Sequence, residues 1–82
     1  MARGKARFFA SLREAVGRSE IEWVLADGAT VETLMTHLRK TLPGLEEWAG
    51  RTWVAVNRHY AAPETVLQDC DEVALFPPVS GG

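Results

Sequence analysis

From Glu20 to Leu25 charged and apolar side chains alternate, with Ile21, Trp23 and Leu25 on one side and Glu20 and Glu22 on the other. That period of two predicts a strand buried on one face. The period then changes: Val31, Leu34, Met35, Leu38 and Leu42 recur at helical spacing and form one stripe. Thr30 stands at the N-cap of this main helix, Glu32 in its first turn and Arg39 and Lys40 in its last, and Pro43-Gly44 closes it. Upstream, Lys5-Ala6-Arg7-Phe8-Phe9-Ala10 is short, aromatic and partly alternating, which predicts a first strand. Ser11 is then expected to cap a brief helical turn through Val16, with Glu14 in the capping-box position and Gly17 as the stop.

Downstream, residues 45–49 are expected to form a short turn ended by Gly50. Thr52-Trp53-Val54-Ala55-Val56 has so little polarity that a strand buried on both faces is expected. Asn57-Arg58-His59 carries turn chemistry, Tyr60-Ala61 is a very short partner strand before Pro63, and Asp69-Cys70-Asp71 turns the chain into a last strand, Glu72 to Phe76. Strand, strand, helix, hairpin, strand is an α+β layout: a mixed sheet of four to five strands with one main helix on one face. The first two strands are adjacent enough to pair as an antiparallel hairpin, and a right-handed crossover permits a parallel neighbour elsewhere. Leu34, Met35 and Leu38 should then meet Trp23, Val54 and Val73.

Residues 1–76 thus read as one domain and residues 77–82 as an extended tail. Proline lacks the donor a sheet ladder needs, so Pro77-Pro78 ends the strand and starts a stiff arm that reaches about 19 Å at roughly 3.1 Å per residue. Composition adds mainly exclusions. The chain has 82 residues, of which 46% are apolar and 24% charged, with a net charge of −2. These values suit a small folded domain and give no basic field for nucleic acid. No apolar run approaches the roughly 20 residues of a membrane span, so a cytoplasmic protein without a membrane partner is expected. A single cysteine cannot form an internal disulfide.

No Walker loop, dinucleotide fingerprint or nucleophile signature occurs. Asp69 and Asp71 flank Cys70 and oppose its thiolate, His37 and His59 read as solvated, Glu46 and Glu47 as a surface pair, and no metal set emerges. By elimination the reactive group is the carboxylate of Gly82. With an ordinary pKa near 3.5 it is an anion and a poor electrophile, so an ATP-using partner must activate it. Glycine obstructs the ensuing attack least.

The segments DEVALFPPVSGG and FFASLREAVG, within a pattern spanning nearly the whole chain, resemble the small subunit of molybdopterin synthase, a sulfur carrier with the ubiquitin-like β-grasp fold. The resemblance implies that Gly82 is adenylated by a ubiquitin-activating-like adenylyltransferase, converted to a thiocarboxylate by a sulfur-donor protein, and inserted into the large synthase subunit. There it would donate sulfur to a cyclic pyranopterin precursor, two donors per dithiolene, in a heterotetramer. On the same basis Val79, Ser80 and Gly81 would thread the tail. Phe76, Pro77, Pro78, Phe9, Leu12 and Arg13 would contact the partner, with core packing the competing role for Phe76. The chain itself would bind no cofactor, ATP being used by the activating partner. Carriers for thiamine or tRNA thiolation, and protein modifiers conjugated through the terminal glycine, share the same outline. Cys70 departs from the family's usual Asp-Gly-Asp turn.

Overall fold

The computed structural model describes residues 1–48 and 50–78. Its elements are β1 (Ala2–Phe8), α1 (Ala10–Val16), β2 (Glu20–Leu25), α2 (Val31–Thr41), a 3₁₀ turn (Pro43–Trp48), β3 (Trp53–Val56), β4 (His59–Tyr60) and β5 (Glu72–Phe76). The strands form one mixed sheet in the order β2-β1-β5-β3-β4. β1 and β2 are antiparallel neighbours, with Ala2 opposite Leu25 and Arg7 opposite Glu20. β5 occupies the centre, parallel to β1 and antiparallel to β3.

The period-two and period-3.6 stretches fold as their patterns require. Trp23 and Leu25 are buried and Ile21 is half-buried, while Glu20, Glu22 and Val24 face outward. On α2 the stripe Val31, Leu34, Met35 and Leu38 is buried in one cluster with Phe8, Trp23, Val73 and Leu75, and Val54 packs at its margin. The Thr30 hydroxyl accepts from the Thr33 N–H, and the Thr33 hydroxyl accepts from the Thr30 N–H, so two orphan donors are satisfied reciprocally. The irregular segment after β4 completes this helix start: Val31 and Glu32 donate to the carbonyls of Thr65 and Pro63. Leu67, 2% exposed, plugs the core beside it.

Four expectations need correction. β1 begins at Ala2 and ends at Phe8, where residues 5–10 were expected; Ala2, Arg3 and Gly4 carry little strand signal of their own, but β2 supplies them with a full ladder. Gly4 is required there, because a Cβ would overlap the Asp71 carbonyl and the Trp23 ring. Ser11 caps nothing, since Phe9 is the N-cap of α1 and makes no side-chain cap bond. The Phe9 N–H instead donates to the Leu75 carbonyl, so a tertiary contact at the end of β5 sets where the helix begins. Gly17 ends it as expected, in the left-handed region at φ 80° with its N–H on the Arg13 carbonyl. Lastly, β3 is not buried on both faces: Trp53 is 48% exposed, because only one side of the sheet has a helical layer over it. β4 is likewise shifted by one residue, to His59–Tyr60.

Candidate functional site: the open face of the sheet and the root of the tail

The side of the sheet away from α2 is uncovered, and it leads to the tail. β5 alternates Val73 and Leu75 into the core with Glu72, Ala74 and Phe76 outward. Phe76 lies opposite Trp53 on β3, and its ring stacks on Phe9 with centroids 4.8 Å apart and planes at 14°. The strand that launches the tail is therefore held on both flanks at its last residue. Pro77 is half-buried and Pro78 exposed. On the β3 side, Trp53 and Tyr60 meet edge to face at 5.4 Å. Phe9, Phe76, Trp53 and Tyr60 thus give an aromatic band across the outer face, with Tyr60 71% exposed. Exposed aromatic rings gathered in this way make the outer face a candidate contact surface.

The same face is charged at its other end. Arg7 lies 3.5 Å from Glu20 and 3.6 Å from Glu72, and Lys5 lies 3.3 Å from Glu20. Between the charges and the aromatics is a shallow depression of about 390 Å³, lined by Arg7, Phe9, Ala55, Arg58, Tyr60, Glu72, Ala74 and Phe76. A larger groove of about 970 Å³ runs between α2 and the β3–β4 edge, with Pro78 on its rim. Its ionisable lining is Glu32, Arg39, Arg51, Tyr60 and Glu64, a mixture with no pairing of nucleophile and base. Among the described residues no group of three or more His, Cys, Asp or Glu side chains comes together to hold a metal ion.

The sequence-derived site residues separate into three sets. Phe9, Phe76, Pro77 and Pro78 come together at the root of the tail, and Arg13 is exposed on α1. Leu12 does not belong to a contact surface: it is 0% exposed, pointing from α1 into the core. Its position follows from helical geometry, since Phe9 ends on the outer face and the chain must close the core over β5 within one turn. Val79, Ser80, Gly81 and Gly82 lie outside the described residues. Trp53 and Tyr60 belong to this open face, although the sequence pattern placed Trp53 in a strand buried on both faces and Tyr60 in a short partner strand without marking either as a site residue. Their signal was the alternation Trp53, Ala55 against Val54, Val56, which an overall apolar strand conceals.

Cys70 sits in the turn before β5 at φ 69°, exposed, its N–H donating to the Arg3 carbonyl at 2.7 Å. The next residue, Asp71, is buried and ties the turn together. Its carboxylate accepts from the Asn57 side-chain amide at 2.8 Å and from the Gln68 N–H at 2.7 Å. This network fixes the β3–β4 hairpin against the start of β5 and leaves Cys70 in the left-handed region without a glycine.

A mixed β2-β1-β5-β3-β4 sheet wrapped on one helix, with a C-terminal strand at its centre, is the ubiquitin-like β-grasp fold. The chain belongs to the ThiS family, whose model matches residues 6–82. It is 42% identical over 83 residues to the molybdopterin synthase sulfur carrier subunit of Escherichia coli K12, covering 95% of this chain and 98% of that one. Among solved structures, SAMP1 from Haloferax volcanii superposes with a TM-score of 0.89 at 30% identity, covering 99% of this chain and 100% of that one. One subunit of the complex of subunits 1 and 2 of the molybdopterin-converting factor from Helicobacter pylori matches with a TM-score of 0.74 at 28% identity, covering 98% and 99%. No helix among the described residues is long and apolar enough to cross a membrane.

Proposed function

We propose that this protein is the sulfur-carrier small subunit of a molybdopterin synthase, with the carboxylate of Gly82 as its working group. The observation that carries this reading is the near full-length similarity to a molybdopterin synthase sulfur carrier subunit. The aromatic face at the root of the tail supports it, because a carrier without chemistry of its own has to be bound by the enzymes that load and unload it. In the first step the Gly82 carboxylate attacks the α-phosphate of ATP in an adenylyltransferase, giving an acyl-adenylate and pyrophosphate. A sulfur-donor protein then supplies sulfur at the sulfide level: the carbon–oxygen bond to AMP breaks, a carbon–sulfur bond forms, and a thiocarboxylate results. Docked on the large subunit, the tail delivers this sulfur to a cyclic pyranopterin precursor, and Gly82 returns to a carboxylate. Val79, Ser80 and Gly81 thread the tail in this scheme, Phe9, Phe76, Pro77, Pro78 and Arg13 contact the partner, and ATP is consumed by the activating partner.

Incubating the protein with the adenylyltransferase, ATP and a sulfur source should raise its mass by the difference between sulfur and oxygen. Adding the large subunit and precursor should then return the original mass with formation of a dithiolene product. No mass gain would overturn the carrier reading, and a gain without product would point to a carrier for thiamine or tRNA thiolation. The similarity to SAMP1, a small archaeal modifier protein, favours one second reading, conjugation of Gly82 to a lysine amine. Amide-linked adducts in cell extract would establish it.

A further inference from the structure

The β3–β4 hairpin contains a residue that its backbone does not favour. Asn57 and Arg58 form its two-residue loop, with φ 51° and 72°. Both central residues of such a loop take positive φ, and glycine is the strain-free choice at the second. Asn57 has a local reason to be there: its amide donates to Asp71, its side-chain oxygen accepts from the Glu72 N–H at 3.0 Å, and its own N–H donates to the Glu72 carbonyl. Arg58 makes no such bond among the described residues. It lines the depression on the open face, beside Phe9, Tyr60 and Phe76. The other guanidinium on that wall, Arg7, is already neutralised by Glu20 and Glu72. Among the described residues Arg58 therefore contributes the one cation of the depression with no carboxylate within 4 Å.

We infer that Arg58 is a specificity-determining residue, whose guanidinium pairs with an aspartate or glutamate on the large subunit when the aromatic face docks. This rests on the carrier reading above. A non-glycine residue held at positive φ is a reason to look for a use of its side chain, and unlike that of Cys70 the Arg58 side chain lines the open face. A guanidinium is planar and always charged, which suits bidentate pairing with a carboxylate at the rim of an apolar contact. The aromatic band then supplies the area of the interface, and Arg58 supplies register and rejection of basic surfaces.

The test compares wild type with Arg58→Gly and Arg58→Glu, measuring thermal unfolding and, by titration calorimetry, affinity for the large subunit at low and high salt. Arg58→Gly should raise the melting temperature by a few degrees, yet weaken binding about three- to tenfold at low salt. Arg58→Glu should weaken it further, and the differences should shrink as salt rises. Binding of Arg58→Gly within twofold of wild type overturns this inference alone. A lower melting temperature for that variant overturns the claim that the arginine is held against the turn's preference. Absence of binding by the wild-type chain overturns its assignment to a molybdopterin synthase, and this inference with it.

Discussion

Replacing Cys70 with glycine should stabilise the protein, the reverse of what most substitutions do. Cys70 is at φ 69°, where a Cβ crowds the following carbonyl and costs roughly 1–2 kcal/mol. Glycine removes that strain but gives the unfolded chain more freedom, a loss of about 0.4–1 kcal/mol. Little else is at stake. The side chain is exposed, and its sulfur lies 4.0 Å from the nearest Asp69 oxygen, so almost no packing is lost. The backbone N–H that bonds Arg3 is unchanged by the substitution. The net gain is on the order of 0.5–1 kcal/mol, which for a domain of this size raises the melting temperature by roughly 2–8 °C. Scanning calorimetry under reducing conditions measures it, with Cys70→Ser as the control, which retains the Cβ and should melt within about 1 °C of wild type. If Cys70→Gly melts below wild type while Cys70→Ser does not, the strain argument for this turn is refuted.

Three further outcomes follow from the packing. Leu38→Ala, at a position 1% exposed in the centre of the α2 stripe, should cost about 2–5 kcal/mol in a urea titration, and a cost near zero would remove that stripe from the core. Gly4→Ala should cost about 2 kcal/mol or more by the same method, because the new methyl meets the Asp71 carbonyl and the Trp23 ring; an unchanged midpoint would mean β1 and the turn before β5 are far enough apart to admit a methyl group. Phe9→Ala removes the ring stacked on Phe76 and should cost about 1–3 kcal/mol of stability. Phe9→Leu should recover much of that stability but not the affinity for the large subunit, and full recovery of both would make Phe9 a packing residue only.

The elements with a clean period were legible without coordinates. β2 and α2 announce themselves because one face of each must leave water, and the spacing of Ile21, Trp23 and Leu25 or of Leu34 and Leu38 records which face that is. The cap at Thr30 and the stop at Gly17 were legible for the same kind of reason: hydrogen bonds within a few residues satisfy them. Ser11 shows the limit. As a local cap it is chemically sound, but Phe9 is engaged by Leu75 and Phe76, some 66 positions later in the chain, and that contact decides where α1 starts.

The same division applies to the candidate site. The chain's residue types and spacing present no signature of a nucleophile, a metal set or a cofactor motif, and they direct attention to the root and end of the tail. They leave open which apolar residues face water. Trp53, Val54, Ala55 and Val56 are all apolar, so hydrophobicity cannot tell their two sides apart. Only the placement of β3 beside β5, with α2 covering one side of the sheet, turns Val54 and Val56 inward and leaves Trp53 with Phe76, Phe9 and Tyr60 on the open face. Leu12 is the converse case, a residue next to that face in sequence but fully buried. Local periodicity is fixed by neighbours along the chain and so is written in the sequence. Which side of a sheet stays uncovered is fixed by non-local pairing and layering, and only the tertiary structure decides it.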